Sequence, residues 1–361
     1  MTKRVFLTGL WLIVTLELRQ RVRGVSWYVL LGIFMLLVGI VTFLLWLATS
    51  AWLSGGGGVF GAIIFFVLLL GTLVSPALSG NAINGDRDAG TLATTQVTLI
   101  GTGQLVLGKF LAAWITALAF LAAALPFLIF AVVLGEVSLG TISVSVLVLA
   151  AELGVIAAVG VGLSGILTRP LFSIVLTYLL VAALSLGTLI AFALLGTATQ
   201  QDATSVNYQV VSSTYDEQTG KQSDIICSTA QTSTYPVPRF DYYWWILAAN
   251  PYVVVADASP GSFDENGSPT DLFGQIAVGV RGAQTPPALY SEYNGCDEAA
   301  NGYFDEGAST RPTAQETYDG AVPSWFIGLT MHLLLGAGAL TWAWRRTRTP
   351  ATHLPTGSRI A

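Results

Sequence analysis

Glu152 and His332 are the only acidic or basic side chains inside the long apolar runs of this sequence. An acid near the centre of a bilayer costs about 2.5 to 3.5 kcal/mol on insertion scales, so something must compensate it. Counting helix rise puts Glu152 roughly 15 Å deep, with His332 at a similar depth. The two are a candidate pair and candidate residues of a translocation path; a protonated or hydrogen-bonded carboxyl held against other helices is the plainer reading. Ser164, in Gly162-Leu163-Ser164-Gly165, offers a nucleophile for which His332 would be the base. By the same count they lie roughly 20 Å apart along the membrane normal, whereas nucleophile and base must meet at about 3 Å. Packing accounts better for the glycines, because Ala150, Gly154, Ala158 and Gly162 recur every four residues and let helices approach closely.

Other groups suggest chemistry and then withhold it. Gly103 to Lys109 has the glycine and lysine spacing of a phosphate-cradling loop, but Phe110 stands where Ser or Thr would hold magnesium, and an apolar run follows. Asp264-Glu265-Asn266-Gly267 lacks the regular oxygen ligands of a calcium loop and reads as a solvated acidic face. The sequence contains no Cys/His cluster spaced for a metal and no catalytic constellation. We therefore assign no catalytic residue, no metal and no cofactor to this chain and expect it not to be an enzyme.

The elements that must hold these residues are membrane helices. Of 361 residues, 53% are hydrophobic and only 10% charged, where a soluble domain carries roughly 25% charge. The apolar residues fall into six blocks, Trp27 to Leu47, Val59 to Leu78, Phe110 to Leu134, Ile142 to Leu167, Leu171 to Leu195 and Trp325 to Trp344. Each is near the ~20 residues that cross ~30 Å of hydrocarbon. Residues 1–24 carry Lys3 and Arg4 before an apolar stretch, then Glu17-Leu18-Arg19-Gln20-Arg21, with no small-residue cleavage site between. That pattern predicts an amphipathic surface helix rather than a cleaved signal peptide.

Charge sets the topology. Lys3, Arg4, Arg19, Arg21, Arg23, Arg87, Lys109, Arg169, Arg345, Arg346, Arg348 and Arg359 all fall on one side of a six-span chain, while the loops 48–58 and 135–141 hold no Lys or Arg. Cytoplasmic loops retain basic residues, so both termini are expected inside, in the plasma membrane. Residues 196–322 differ: four basic residues stand against 16 acidic ones, a net −12, while the remainder is +7. An acidic outer segment and a basic inner face argue against nucleic-acid binding.

Both cysteines, Cys227 and Cys296, lie in this segment, where oxidation is permitted, and we expect them to be joined. Closing so long a loop is worth about 4 kcal/mol in the chain-entropy model. Ser205 to Ser213 and Asp224 to Thr234 read as strands between turn signals. Residues 242–256, Tyr-Tyr-Trp-Trp followed by an apolar run through Asn250-Pro251, are too short to span and read as an interfacial or re-entrant helix. The expected fold is thus all-α and polytopic: a surface helix (1–24), five spans (25–195) with a charged loop at 79–109, an extracytoplasmic β-containing domain (196–322), a sixth span (323–344) and a tail (345–361).

That charged loop reads Asn84-Gly85-Asp86-Arg87-Asp88-Ala89-Gly90-Thr91-Leu92, with Gly108-Lys109 opening the third span. It resembles the cytosolic loop of ABC-2 type permeases of ABC transporters: an acidic residue and Arg, then Gly-Thr-Leu, a polar stretch and Gly-Lys. The match covers roughly residues 79–134, with Asp86 where Glu is more usual. The resemblance implies a transport subunit that exports a lipid-like, peptide or drug-like molecule. It also implies a separate ATP-binding subunit carrying ATP and magnesium, and a second permease copy or a related permease, all within membrane lipid. Glu17, Arg19, Asp86, Arg87, Asp88, Gly90, Thr91 and Leu92 are the residues it implies for coupling to the ATPase, with Arg87 meeting an acidic residue of the partner. A membrane receptor or sensor with an outer ligand-binding domain is the alternative, and an intramembrane serine protease a weaker one.

The topology predicts that, in intact cells, a membrane-impermeant thiol reagent labels Ser268→Cys in a chain whose two native cysteines are paired. Labelling only after lysis would reverse the assigned sides.

Overall fold

The computed structural model describes residues 3–52, 57–90, 100–135, 137–216, 221–301 and 312–348. In chain order its helices are α1 (Lys3–Arg23), α2 (Val25–Trp52), α3 (Gly57–Ser79), α4 (Asn84–Asp88), α5 (Thr102–Leu134), α6 (Leu139–Ile166), α7 (Pro170–Ala182) and α8 (Thr188–Ala198). A π-helical turn, Ala183–Gly187, welds α7 to α8. After the strands come α9 (Trp244–Ala248), α10 (Pro251–Ala258), α11 (Leu272–Gly282), α12 (Gly295–Asn301), α13 (Ala314–Gly320) and α14 (Trp325–Thr347). Six helical stretches are long and apolar enough to cross a membrane: Val25–Ala48, Gly57–Asp88, Thr102–Leu134, Leu139–Ile166, Pro170–Ala198 and Trp325–Thr347. The chain is a multi-pass membrane protein. We call the end bearing Arg21, Arg87, Arg169 and Arg345 the basic end and the other the acidic end.

Local chemistry explains the boundaries. Pro170 opens α7 as its first helical residue, where its missing N–H costs nothing. Ser138 accepts from Thr141 N to start α6, and Thr313 with Glu316 forms a capping box on α13. Pro76 and Pro126 lie inside α3 and α5 without ending them.

The fourth span is the hub, with 72% of its apolar window buried, against 17% for the first span and 11% for the fifth. It runs parallel to the sixth, and the two meet through small residues. A Cβ on Gly162 would stand 2.6 Å from the Ala339 side chain, and one on Gly165 2.6 Å from that of Ala343. The four-residue stripe is shared between neighbours, for Gly154 faces Trp114 of the third span and Trp114 Nε1 donates to Ala150 O at 2.8 Å.

Residues 200–294 add a small β region. β1 (Gln200–Tyr208) lies between antiparallel β4 (Gln231–Pro238) and parallel β5 (Tyr290–Asn294), and β2 (Val210–Asp216) pairs with β3 (Lys221–Cys227). The two runs expected to be single strands are each divided: a turn at Gln209 splits 205–213, and residues 228–230 split 224–234. A disulfide joins Cys227, at the end of β3, to Cys296 on α12. The expected helix at 242–256 is two helices and a 3₁₀ turn (Phe240–Tyr242), broken at Asn250-Pro251. Val253, Val254, Val255 and Ala256 of this segment are buried, the last three in the apolar core among the candidate spans.

Over-packing the tight parallel contact should destabilise the bundle by about 1 to 3 kcal/mol. Gly162→Val is expected to lower the thermal midpoint in detergent by several degrees. Gly338→Val, with nothing within 4 Å of its added Cβ, should leave it unchanged.

Candidate functional site

Glu152 and His332 meet. Each lies about 21 to 22 Å from the basic end of its helix by helix rise, and both are buried to 1% exposure. His332 Nδ1 is 2.9 and 3.0 Å from the two Glu152 carboxyl oxygens, and Nε2 is 2.9 Å from Ala249 O. These partners fix the proton inventory. A carbonyl oxygen only accepts, so Nε2 carries a hydrogen. The Nδ1 contact then needs one further proton, either on His332 as imidazolium or on Glu152 as carboxylic acid. In both forms the pair is neutral overall and shares a single proton, which suits burial.

The broken segment 240–258 brings the Ala249 carbonyl to this pair. Asn250 Nδ2 donates to Ser185 O at 2.6 Å, within the π turn, and to Thr188 Oγ1 at 2.9 Å. Its Oδ1 accepts from Tyr252 N and caps α10. A π turn leaves backbone groups out of regular register, and here a side-chain amide takes one up. Gly328 permits the approach, since a Cβ there would collide with Ala248 O. At the acidic end Asp257 Oδ2 accepts from Ser324 N, Ser324 Oγ and Trp325 N, while its Oδ1 accepts from Arg281 Nε at 2.7 Å. The α10 helix therefore lies antiparallel to the start of α14, tied at both ends. A narrow cavity of about 20 Å³ borders Glu152, His332, Pro251 and Leu184, room for about one water.

A second polar cluster lies at the basic end. Lys109 Nζ is 2.5 Å from Glu17 Oε1 and 2.7 Å from Asp86 Oδ2, and the lysine is 2% exposed. This junction ties α1, α4 and the third span together. Gln104 Nε2 donates to Val5 O and Phe6 O, and Gly108 faces Ile13. The glycine-and-lysine pattern of residues 103–109 thus serves helix contact. Arg21 donates to Leu78 O and Thr116 Oγ1; its burial lowers its pKa while Glu17 opposes the shift.

On α1, Glu17 and Arg21 face inward, and the exposed side includes Leu7, Trp11, Leu12 and Leu16 as well as Arg19. Arg87 donates within the chain to Asn84 Oδ1 at 3.1 Å, Leu167 O at 3.0 Å and Gly165 O at 3.5 Å. A cation on the last carbonyls of α6 is favoured by the helix dipole. Ser164 Oγ accepts from Ile83 N and Asn84 N at 2.9 and 3.0 Å, so it caps the start of α4. It lies about 18 Å by helix rise from Glu152, where His332 is bound. Asp88 and Arg19 are exposed, and Gly90 adopts φ +71°, a left-handed conformation that glycine accepts freely. Thr91 and Leu92 lie outside the described residues.

Lys109 stood out in the sequence only as part of glycine-and-lysine patterns, Asn84 only as the start of the charged loop, and Ser173 not at all. Asn84 Nδ2 donates to Ser173 Oγ, which donates to Gly80 O. The one available signal was a lysine at the mouth of a span with acids at positions 17 and 86.

The fold and its polar clusters define a class: a multi-pass membrane protein with six candidate spans and a small disulfide-bonded β region. The chain matches no protein-family model and no curated protein.

The proton inventory predicts a specific contrast. Glu152→Gln can donate its amide to Nδ1 of a neutral His332, so the network survives without a shared proton. Wild type should lose thermal stability as alkaline pH removes that proton, and Glu152→Gln should not. Glu152→Leu strands Nδ1 and is expected to cost about 1 to 3 kcal/mol. Equal pH profiles for wild type and Glu152→Gln would refute the shared proton.

Proposed function

We propose that this chain is the membrane-spanning permease subunit of an ABC-2 type exporter. It forms the translocation path with a second permease copy or a related permease, and couples to a separate subunit that binds ATP and magnesium. The observation that carries the reading is the basic-end junction. The Asn84–Leu92 pattern follows directly from the second span, and its α4 helix is fastened to three others. Asp86 reaches Lys109, Arg87 grips the end of the fourth span, and Ser164 caps the helix start. A push on α4 would therefore move the second, third and fourth spans and α1 together, which is what docking to a motor subunit requires.

The basic end is the cytoplasmic one in this reading, the plasma membrane is the host, and the disulfide-bonded β region lies outside. Glu152 and His332 border the path, and transport runs outward, carrying a lipid-like, peptide or drug-like molecule.

Internal pairing changes which residues test the docking. Glu17, Asp86 and Arg87 are engaged within the chain, so reversing them disturbs the fold first. Asp88 and Arg19 are exposed. Combining Asp88→Lys with Arg19→Glu should cut co-purification of the ATP-binding subunit about tenfold, with the thermal midpoint unchanged. Lys109→Met, which takes the buried cation away from Glu17, should instead cost about 3 to 5 kcal/mol of stability. Undiminished co-purification and transport in the Asp88/Arg19 variant would remove the assignment.

A further inference from the structure

The fifth span is covered by the rest of the chain along only 11% of its apolar window. Its half next to the basic end is concave. A groove of about 500 Å³ opens there, lined by Leu167, Thr168, Arg169, Phe172, Val175, Leu176 and Leu179.

The geometry points to this groove as a binding site for one anionic phospholipid, its phosphate on Arg169 and one acyl chain laid along Phe172, Val175, Leu176 and Leu179. Three observations carry the assignment. Charge is the first: Arg169 is exposed at the mouth of the groove, the only charged residue among its lining, and a guanidinium matches phosphate bidentately. Beside it, α7 begins at Pro170, so the amides of Leu171 and Phe172 lie in the first helical turn, which has no preceding carbonyls to bind them.

Length is the second. From Arg169 to Leu179 the helix rises about 15 Å, half of the ~30 Å hydrocarbon thickness. The groove is thus one leaflet deep, with its cation at headgroup level. A second copy packed on this span would be expected to follow the whole helix, where Leu186, Leu189, Ile190 and Leu194 are also exposed. The groove instead stops near mid-membrane.

Rigidity is the third. Arg87 holds Leu167 O and Gly165 O, and Ser173 donates to Gly80 O and Pro170 O. The turn that presents Arg169 is therefore fixed before any lipid arrives, which reduces the ordering cost of binding.

The experiment uses the full chain in nanodiscs of equimolar phosphatidylglycerol and phosphatidylcholine with identical acyl chains, followed by native mass spectrometry of retained lipid. Wild type is expected to keep one phosphatidylglycerol in about five- to tenfold preference over phosphatidylcholine. R169Q, an exposed change that should leave the thermal midpoint alone, should bring the preference to about one. Val175→Trp, filling the groove, should remove the retained lipid of both kinds. Glycerol phosphate without acyl chains should not displace it. An unchanged preference in R169Q overturns the site, and so does displacement by glycerol phosphate, which would mean a free-phosphate site. Efficient cross-linking of Val175→Cys between two copies, with lipid retention unaffected by Val175→Trp, would make the face a contact between chains instead.

Discussion

Hydrocarbon cannot hydrogen-bond, so every polar group carried into the membrane must find its partner within the chain. That constraint organises this protein more than any single apolar contact does. Glu152 could not be accommodated alone at mid-membrane; it is accommodated because His332, the Ala249 carbonyl and one proton complete a closed set. The Ala249 carbonyl is free to join because Asn250 is extended at the break between α9 and α10, so no helical N–H four residues on is aligned to take it. A non-helical backbone at this depth is tolerated only where protein surrounds it, and here the fourth, fifth and sixth spans do.

The same requirement links the chain break at Asn250-Pro251 to the irregularity in the fifth span. A π turn displaces carbonyls from register with their normal N–H donors, and Ser185 O is taken up by Asn250 Nδ2. Two local defects thus satisfy each other, and neither would be stable facing lipid. Asp257 does comparable work at the start of the sixth span, accepting from the backbone N–H groups of Ser324 and Trp325. The α10 helix is held near one end by a histidine and an asparagine and near the other by an aspartate. Its position is therefore set by polar bonds as well as by Val254 and Val255 in the apolar core.

Close approach is the second means by which the bundle meets this constraint. Without a hydrophobic drive between helices in lipid, association rests on van der Waals contact and interhelical hydrogen bonds. Gly162 against Ala339 and Gly165 against Ala343 bring the fourth and sixth spans near enough for Glu152 to reach His332 about two to three and a half turns away along the same contact. A bulkier residue at Gly162 would widen the gap at the contact and with it the distance that the shared proton must bridge. Packing and the polar pair are accordingly one design problem rather than two.

How much of this could be read from the sequence depended on the kind of signal. Six spans were legible because apolar length is a one-dimensional property, and the pairing of Glu152 with His332 followed from depth, which helix rise converts into a count. Cys227 and Cys296 were legible because there were only two. The charged loop did not show direction: Arg87 and Arg19 look alike in sequence, yet one grips the carbonyls at the end of α6 and the other is exposed. Nothing in local spacing distinguishes them, because the carbonyls that Arg87 binds lie about 80 residues away. Ser164 was set aside as a nucleophile on depth, but the role its hydroxyl does have, capping a helix 80 residues earlier in the chain, had no local sign in the sequence. Side chains in a membrane protein are committed by whichever neighbour lacks a partner, and that neighbour is chosen by the fold; a motif fixes residue type, and only the completed hydrogen-bond inventory fixes role.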